Sequence, residues 1–72
     1  MNIAPVEIII SGNVYMVEMA DGAVDSYRVL TETPTHFILS YSIDGAVEVF
    51  EKAKNEIKAI YDVKDWLAGN KI

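Results

Sequence analysis

The side chains able to do chemistry are His36, the serines Ser11, Ser26, Ser40 and Ser42, and a large set of carboxylates. There is no cysteine, so a nucleophile would be one of the serines with His36 as its base. His36 opens an alternating apolar run just after Pro34-Thr35, and no G-x-S-x-G turn sets a serine on a strand-to-helix elbow. Nucleophilic catalysis is not expected. Glu18 and Asp25 flank Asp21-Gly22. Facing each other across that turn, they would form a carboxylate pair able to divide acid and base roles. A 72-residue chain has little room for a substrate cleft around them, so they read as solvated hairpin tips.

Other chemistries find less. Asp21-Gly22 and Asp44-Gly45 lack the D-x-D-x-D-G spacing of a calcium loop. His36 has no second nitrogen or sulfur ligand for zinc. Gly12, Gly22, Gly45 and Gly69 are isolated and build no phosphate loop. No catalytic residue, metal site or cofactor is therefore expected. Tyr15, Tyr27, Phe37 and Tyr41 lie in strand-like runs, as base-stacking residues do in sheet-based RNA binders. A stacking platform works with a positive groove. Through Glu51 the chain has eight acids against Arg28 alone, which argues against direct nucleic-acid binding.

The elements that position these residues are organised around a repeated stretch. Asp21-Gly22-Ala23-Val24-Asp25-Ser26-Tyr27 returns as Asp44-Gly45-Ala46-Val47-Glu48-Val49-Phe50, and each copy follows an apolar run. Asp-Gly between two such runs is a strong hairpin signal, in a two-residue or a bulged three-residue loop. Strands are expected at 6–10, 14–19, 24–31, 36–43 and 46–51. Ser11-Gly12-Asn13 turns the first into the second, and Thr33-Pro34-Thr35 breaks the third from the fourth. Short connections imply an antiparallel meander. From Ala53 the apolar residues Ile57, Ile60, Tyr61, Leu67 and Ala68 fall at helical spacing, and Gly69-Asn70 resembles a helix C-cap. The spacing predicts one amphipathic helix over 52–68, packed on one sheet face: an α+β domain spanning residues 1–72. The competing division makes 56–61 a sixth strand and Asp62 the cap of a short helix over 63–68, giving a small barrel-like β protein.

The formal charge is -5, carried by the first 51 residues, since three acids and five bases follow Glu51. An acidic surface suits a basic partner. The five late bases are interspersed with acids over 52–72, which makes a poor membrane-binding helix. No apolar run approaches the ~18 residues of a membrane span. Met1-Asn2-Ile3-Ala4-Pro5 lacks a basic n-region and an apolar h-region, so no signal peptide is expected and the cytoplasm is the default location.

These features point to surface recognition rather than catalysis. The leading expectation is a small acidic interaction or inhibitor protein engaging a basic surface of a larger, nucleic-acid-processing protein, with acids in the place of phosphates. Phage-encoded inhibitors of the anti-CRISPR or anti-restriction kind are similar to this chain in size and charge, without a shared motif. The expected contact residues are Glu18, Asp21, Asp25, Asp44 and Glu48, with Met16 and Ile38 on a sheet face the helix leaves uncovered. The alternative is a homo-oligomeric structural or assembly protein using that face.

Overall fold

A computed structural model describes residues 3–70. Five antiparallel strands form one open sheet, followed by a C-terminal helix: β1 Val14–Met19, β2 Val24–Glu32, β3 His36–Ile43, β4 Ala46–Ala53, β5 Ile57–Asp62 and α1 Val63–Asn70. One 3-10 turn, Lys54–Glu56, joins β4 to β5. The strand order is β4-β3-β2-β1-β5. The first four strands are a meander, and β5 returns to the free side of β1. None of the described helices is long and apolar enough to cross a membrane.

That return forces curvature. Crossing from β4 to β5 over a flat sheet takes about 19 Å at about 4.8 Å per strand, while the link from Ala53 to Ile57 reaches at most about 14 Å. The sheet therefore curls until the end of β4 approaches the start of β5. Two backbone bonds hold the corner: Lys54 N–H donates to the Thr35 carbonyl at 2.9 Å, and Ala20 N–H to the Glu56 carbonyl at 2.8 Å. Bulges supply bend and twist. Between Val29 and Thr31, β2 carries Leu30 as an extra residue against β3, and β5 carries Lys58 as an extra residue against β1.

The core lies on one face of the curled sheet. Tyr15, Val17, Val29, Phe37, Leu39 and Ile60 are buried there, with Val6, Ile9, Met19, Tyr27, Phe50 and Ile57 packed around them. Register explains the set: Val17 stands opposite Ile60, Val29 opposite Leu39, and Leu39 opposite Phe50.

The helix expected over 52–68 is replaced by β4's last residues, the 3-10 turn, β5 and a helix that starts at Val63. The Lys58 bulge is the reason the spacing misleads. It brings Ile57 and Ile60, three apart, to one face of a strand, which imitates the i, i+3 repeat of a helix. Asp62 caps α1, as in the competing division: its Oδ1 accepts from Lys64 N–H at 2.9 Å and Asp65 N–H at 3.1 Å. Gly69 is no C-cap, because it lies within α1. A Cβ there would collide with the Ile3 side chain, so its use is space for the N-terminal segment.

The strand expected over 6–10 does not form either. Its β-branched composition favours extended backbone, but a strand needs a ladder partner, and β1 is already flanked by β2 and β5. The segment instead lies over the core. Val6 N–H donates to the Ile60 carbonyl at 2.9 Å, Ile10 N–H to the Tyr15 hydroxyl at 2.8 Å, and Val6 and Ile9 pack inward while Ile8 stays exposed.

Candidate functional site: a cleft between two hairpins

The β2–β3 ladder runs from Glu32 opposite Phe37 to Arg28 opposite Ser40 and stops. β2 begins at Val24 and its first residues pair with β1, while β3 continues to Ile43 beside β4. The β1–β2 and β3–β4 hairpins thus part like the arms of a V. A depression of about 640 Å³ fills the opening, with residues 25–28 on one arm and residues 40–43 on the other.

Three rings stand near the vertex. Tyr27 and Phe50 have centroids 5.4 Å apart, Tyr41 and Phe50 5.7 Å, and Tyr27 and Tyr41 6.0 Å, all edge to face. That geometry matches the positive edge of one ring to the negative face of another. Burial pushes the Tyr27 hydroxyl above its usual titration range, and the charge of Asp25 and the neighbouring Tyr41 add to this. At neutral pH it remains a hydrogen-bond donor. Ser40 is buried, and Arg28 at the vertex donates from Nη1 to the Gly12 carbonyl, tying the turn before β1 to β2. The opening therefore offers hydroxyls, strand borders, aromatic surface, the Asp25 carboxylate and the Arg28 guanidinium, which is turned to the Gly12 carbonyl. Strand borders and side-chain pockets of this kind suit an extended peptide.

The expected contact residues separate into groups. Asp25 lines the cleft. Asp21 and Asp44 sit in the turns that end its two arms, and Glu48 follows in β4 on the core face, opposite Tyr41. All four are exposed. Glu18 has a different position: it is half-buried on the outer face, accepts from the Tyr61 hydroxyl at 3.1 Å and pairs with Lys58 at 3.6 Å. Burial, with the Glu18 hydrogen bond and charge, holds the Tyr61 hydroxyl above its usual range. Met16 and Ile38 share the outer face without forming one patch. Met16 lies opposite Ser26 and Ile38 opposite Thr31, at different ends of β2.

The carboxylate pair weighed across the first turn does not assemble. Val17 stands opposite Asp25 and Glu18 opposite Val24, so Glu18 and Asp25 are one step out of register and on opposite faces. His36 Nδ1 lies 2.8 Å from Thr35 Oγ1, at the far end of β3 from Ser42. Among the described residues, no group of three or more histidines and carboxylates is placed to hold a metal ion.

Ser40, Tyr41, Ser42 and Ile43 were not legible as site residues. Their alternation marks a strand, but where that strand leaves its neighbour is set by residues far along the chain. No family model matches the chain, and no curated protein or solved structure is found that matches it.

Proposed function

We propose that this chain is a non-catalytic protein-interaction module whose cleft receives a basic, extended segment of a larger protein. The observation that carries the reading is the end of the β2–β3 ladder at Arg28 and Ser40, which opens a depression between two arms that each end in an acidic Asp-Gly turn. A peptide laid between the arms meets strand borders on both sides, while Asp21, Asp25 and Asp44 attract its Lys or Arg side chains. In the inhibitor form of this reading, the segment is one that otherwise holds nucleic-acid phosphates, and these carboxylates take their place.

The test uses an oligolysine peptide about ten residues long, the upper range of a strand, titrated into the protein and followed by backbone amide NMR. Shifts concentrated in residues 25–28 and 40–43, weakening with added salt, are expected. The D21K/D25K/D44K variant should bind at least about tenfold more weakly, each lost pairing being modest on its own. Shifts scattered over the surface, or unchanged affinity in the triple variant, would overturn the reading.

A further inference from the structure

The two edges of the sheet are unlike. Beside β5 lie the N-terminal segment, bonded through Val6 to Ile60, and α1, which follows directly. β4 is the other edge. It pairs with β3 through eight unbroken positions from Ile43–Ala46 to His36–Ala53, without a bulge or a proline. Val47 and Val49 are 65% and 58% exposed. Sheet proteins ordinarily blunt such an edge with bulges, prolines or charge, because a long straight one pairs with another chain; β4 has only charge, on Glu48, Glu51 and Lys52, and opposite charges of this kind can also pair across two copies.

The hydrogen-bonding phase of β4 follows from its turn. Ile43 and Ala46 close a two-residue hairpin, so they form a hydrogen-bonded pair, and Ala46, Glu48, Phe50 and Lys52 direct their backbone groups to β3. Val47, Val49, Glu51 and Ala53 direct theirs to the open side. We infer that β4 pairs antiparallel with β4 of a second copy, in the register centred on Phe50. There Val49 meets Glu51 and Val47 meets Ala53 through the outward backbone groups. Phe50 meets its symmetry mate, and Glu48 meets Lys52 on both sides of the two-fold axis.

Charge selects this register from its neighbours. Glu48–Lys52 is then a non-hydrogen-bonded pair, the kind whose side chains approach most closely. Neither residue is in an ion pair among the described residues. Centring on Glu48 or on Glu51 would oppose like charges, and centring on Val49 would oppose Glu48 to Phe50. The result is one sheet continuous through both copies, with Val47 and Val49 at its middle.

The measurement is light-scattering mass over a concentration series up to roughly 1 mM, a range that reveals weak association. The mass should rise from the monomer's 8.0 kDa toward twice that value. K52E and E48K should each associate about tenfold more weakly, since each change acts twice across the axis, and E48K/K52E should restore the original constant. V49P should abolish association and keep its far-UV spectrum, because the Val49 amide points away from β3. A mass fixed at 8.0 kDa throughout, a double variant no better than the singles, or a dimer that survives V49P would each overturn the inference. Lys52 and Val49 lie outside the cleft, so oligolysine binding by V49P reads the cleft proposal separately.

Discussion

At Asp44-Gly45 both turn residues have positive φ, 52° and 82°, and Ile43 closes directly on Ala46. At Asp21-Gly22 only the glycine does, at 94°; Gly22 N–H donates to the Met19 carbonyl and Met19 N–H to the Ala23 carbonyl, so Ala20 joins a three-residue loop. Both are favoured hairpin geometries, and Asp-Gly-Ala-Val satisfies either. The difference lies in the surroundings. Ala20 N–H is bonded to the Glu56 carbonyl at the curled corner, which engages the third residue. Among the described residues the β3–β4 hairpin has no strand on its outer side, and it closes by the shortest route. Tyr27 and Phe50, six residues after each Asp, still arrive on the core face and touch. The same Asp-Gly-Ala-Val thus closes two loops, which differ in whether the preceding residue, Ala20 or Ile43, joins the loop or the ladder.

The sharpest way to break this comparison is to remove the support of the β1–β2 arm. Ile60→Ala should cost about 2–5 kcal/mol in chemical denaturation, a large part of the roughly 4–11 kcal/mol expected for a chain of this length. Val49→Ala on the bare arm should stay within about 0.5 kcal/mol. Equal losses would mean that the two arms are equally supported.

The turns come next. Among the described residues nothing lies within 4 Å of a Cβ added at Gly22 or Gly45, so either substitution by Ala should cost only the left-handed backbone, about 1–2 kcal/mol in thermal or denaturant unfolding. A much larger loss at Gly45 would show that its turn also holds the β3–β4 register.

A smaller effect appears at alkaline pH. Tyr61 holds its proton more tightly when folded than an ordinary tyrosine does, through burial and then Glu18. Its contribution is complete below about pH 10 and declines as pH rises through the raised value. Tyr61→Phe should flatten that decline in pH-dependent unfolding while losing the bond to Glu18; an unchanged slope would assign the decline elsewhere, Tyr27 included.

The gentlest comparison needs no substitution. In dilute protein the outward amides of Val47, Val49 and Glu51 should exchange with solvent far faster than those of Val17 or Leu39. Protection that appears as concentration rises would sharpen the edge-pairing inference.

Much of the sheet was readable in advance. The runs at 14–19, 24–31, 36–43 and 46–51 coincide with β1 to β4 within two residues, because alternation and Asp-Gly turns act over a few neighbours. The fifth strand is the exception: composition favours 6–10, and only the competing division has a strand over 56–61, where β5 forms. Val6-Glu7-Ile8-Ile9-Ile10 has the better strand composition, yet Ile57–Asp62 takes the position beside β1. Of the expected contact residues, Asp25 reaches the cleft and Asp21 and Asp44 end its arms, while Glu18 is held by Tyr61 and Lys58.

The amino-acid sequence alone determined four strands, two turns that need glycine, the absence of cysteine and the acidic front half, all properties of residue type and short spacing. Tertiary structure decided the rest. The Lys58 bulge shifts the parity of β5, so a strand carries a helical spacing that no local reading can separate. The divergence of β2 from β3, and with it the cleft, depends on β1 and β4 each holding one strand where the two part. Pairing between residues distant in the chain is a competition among partners, and periodicity records only which face each residue prefers.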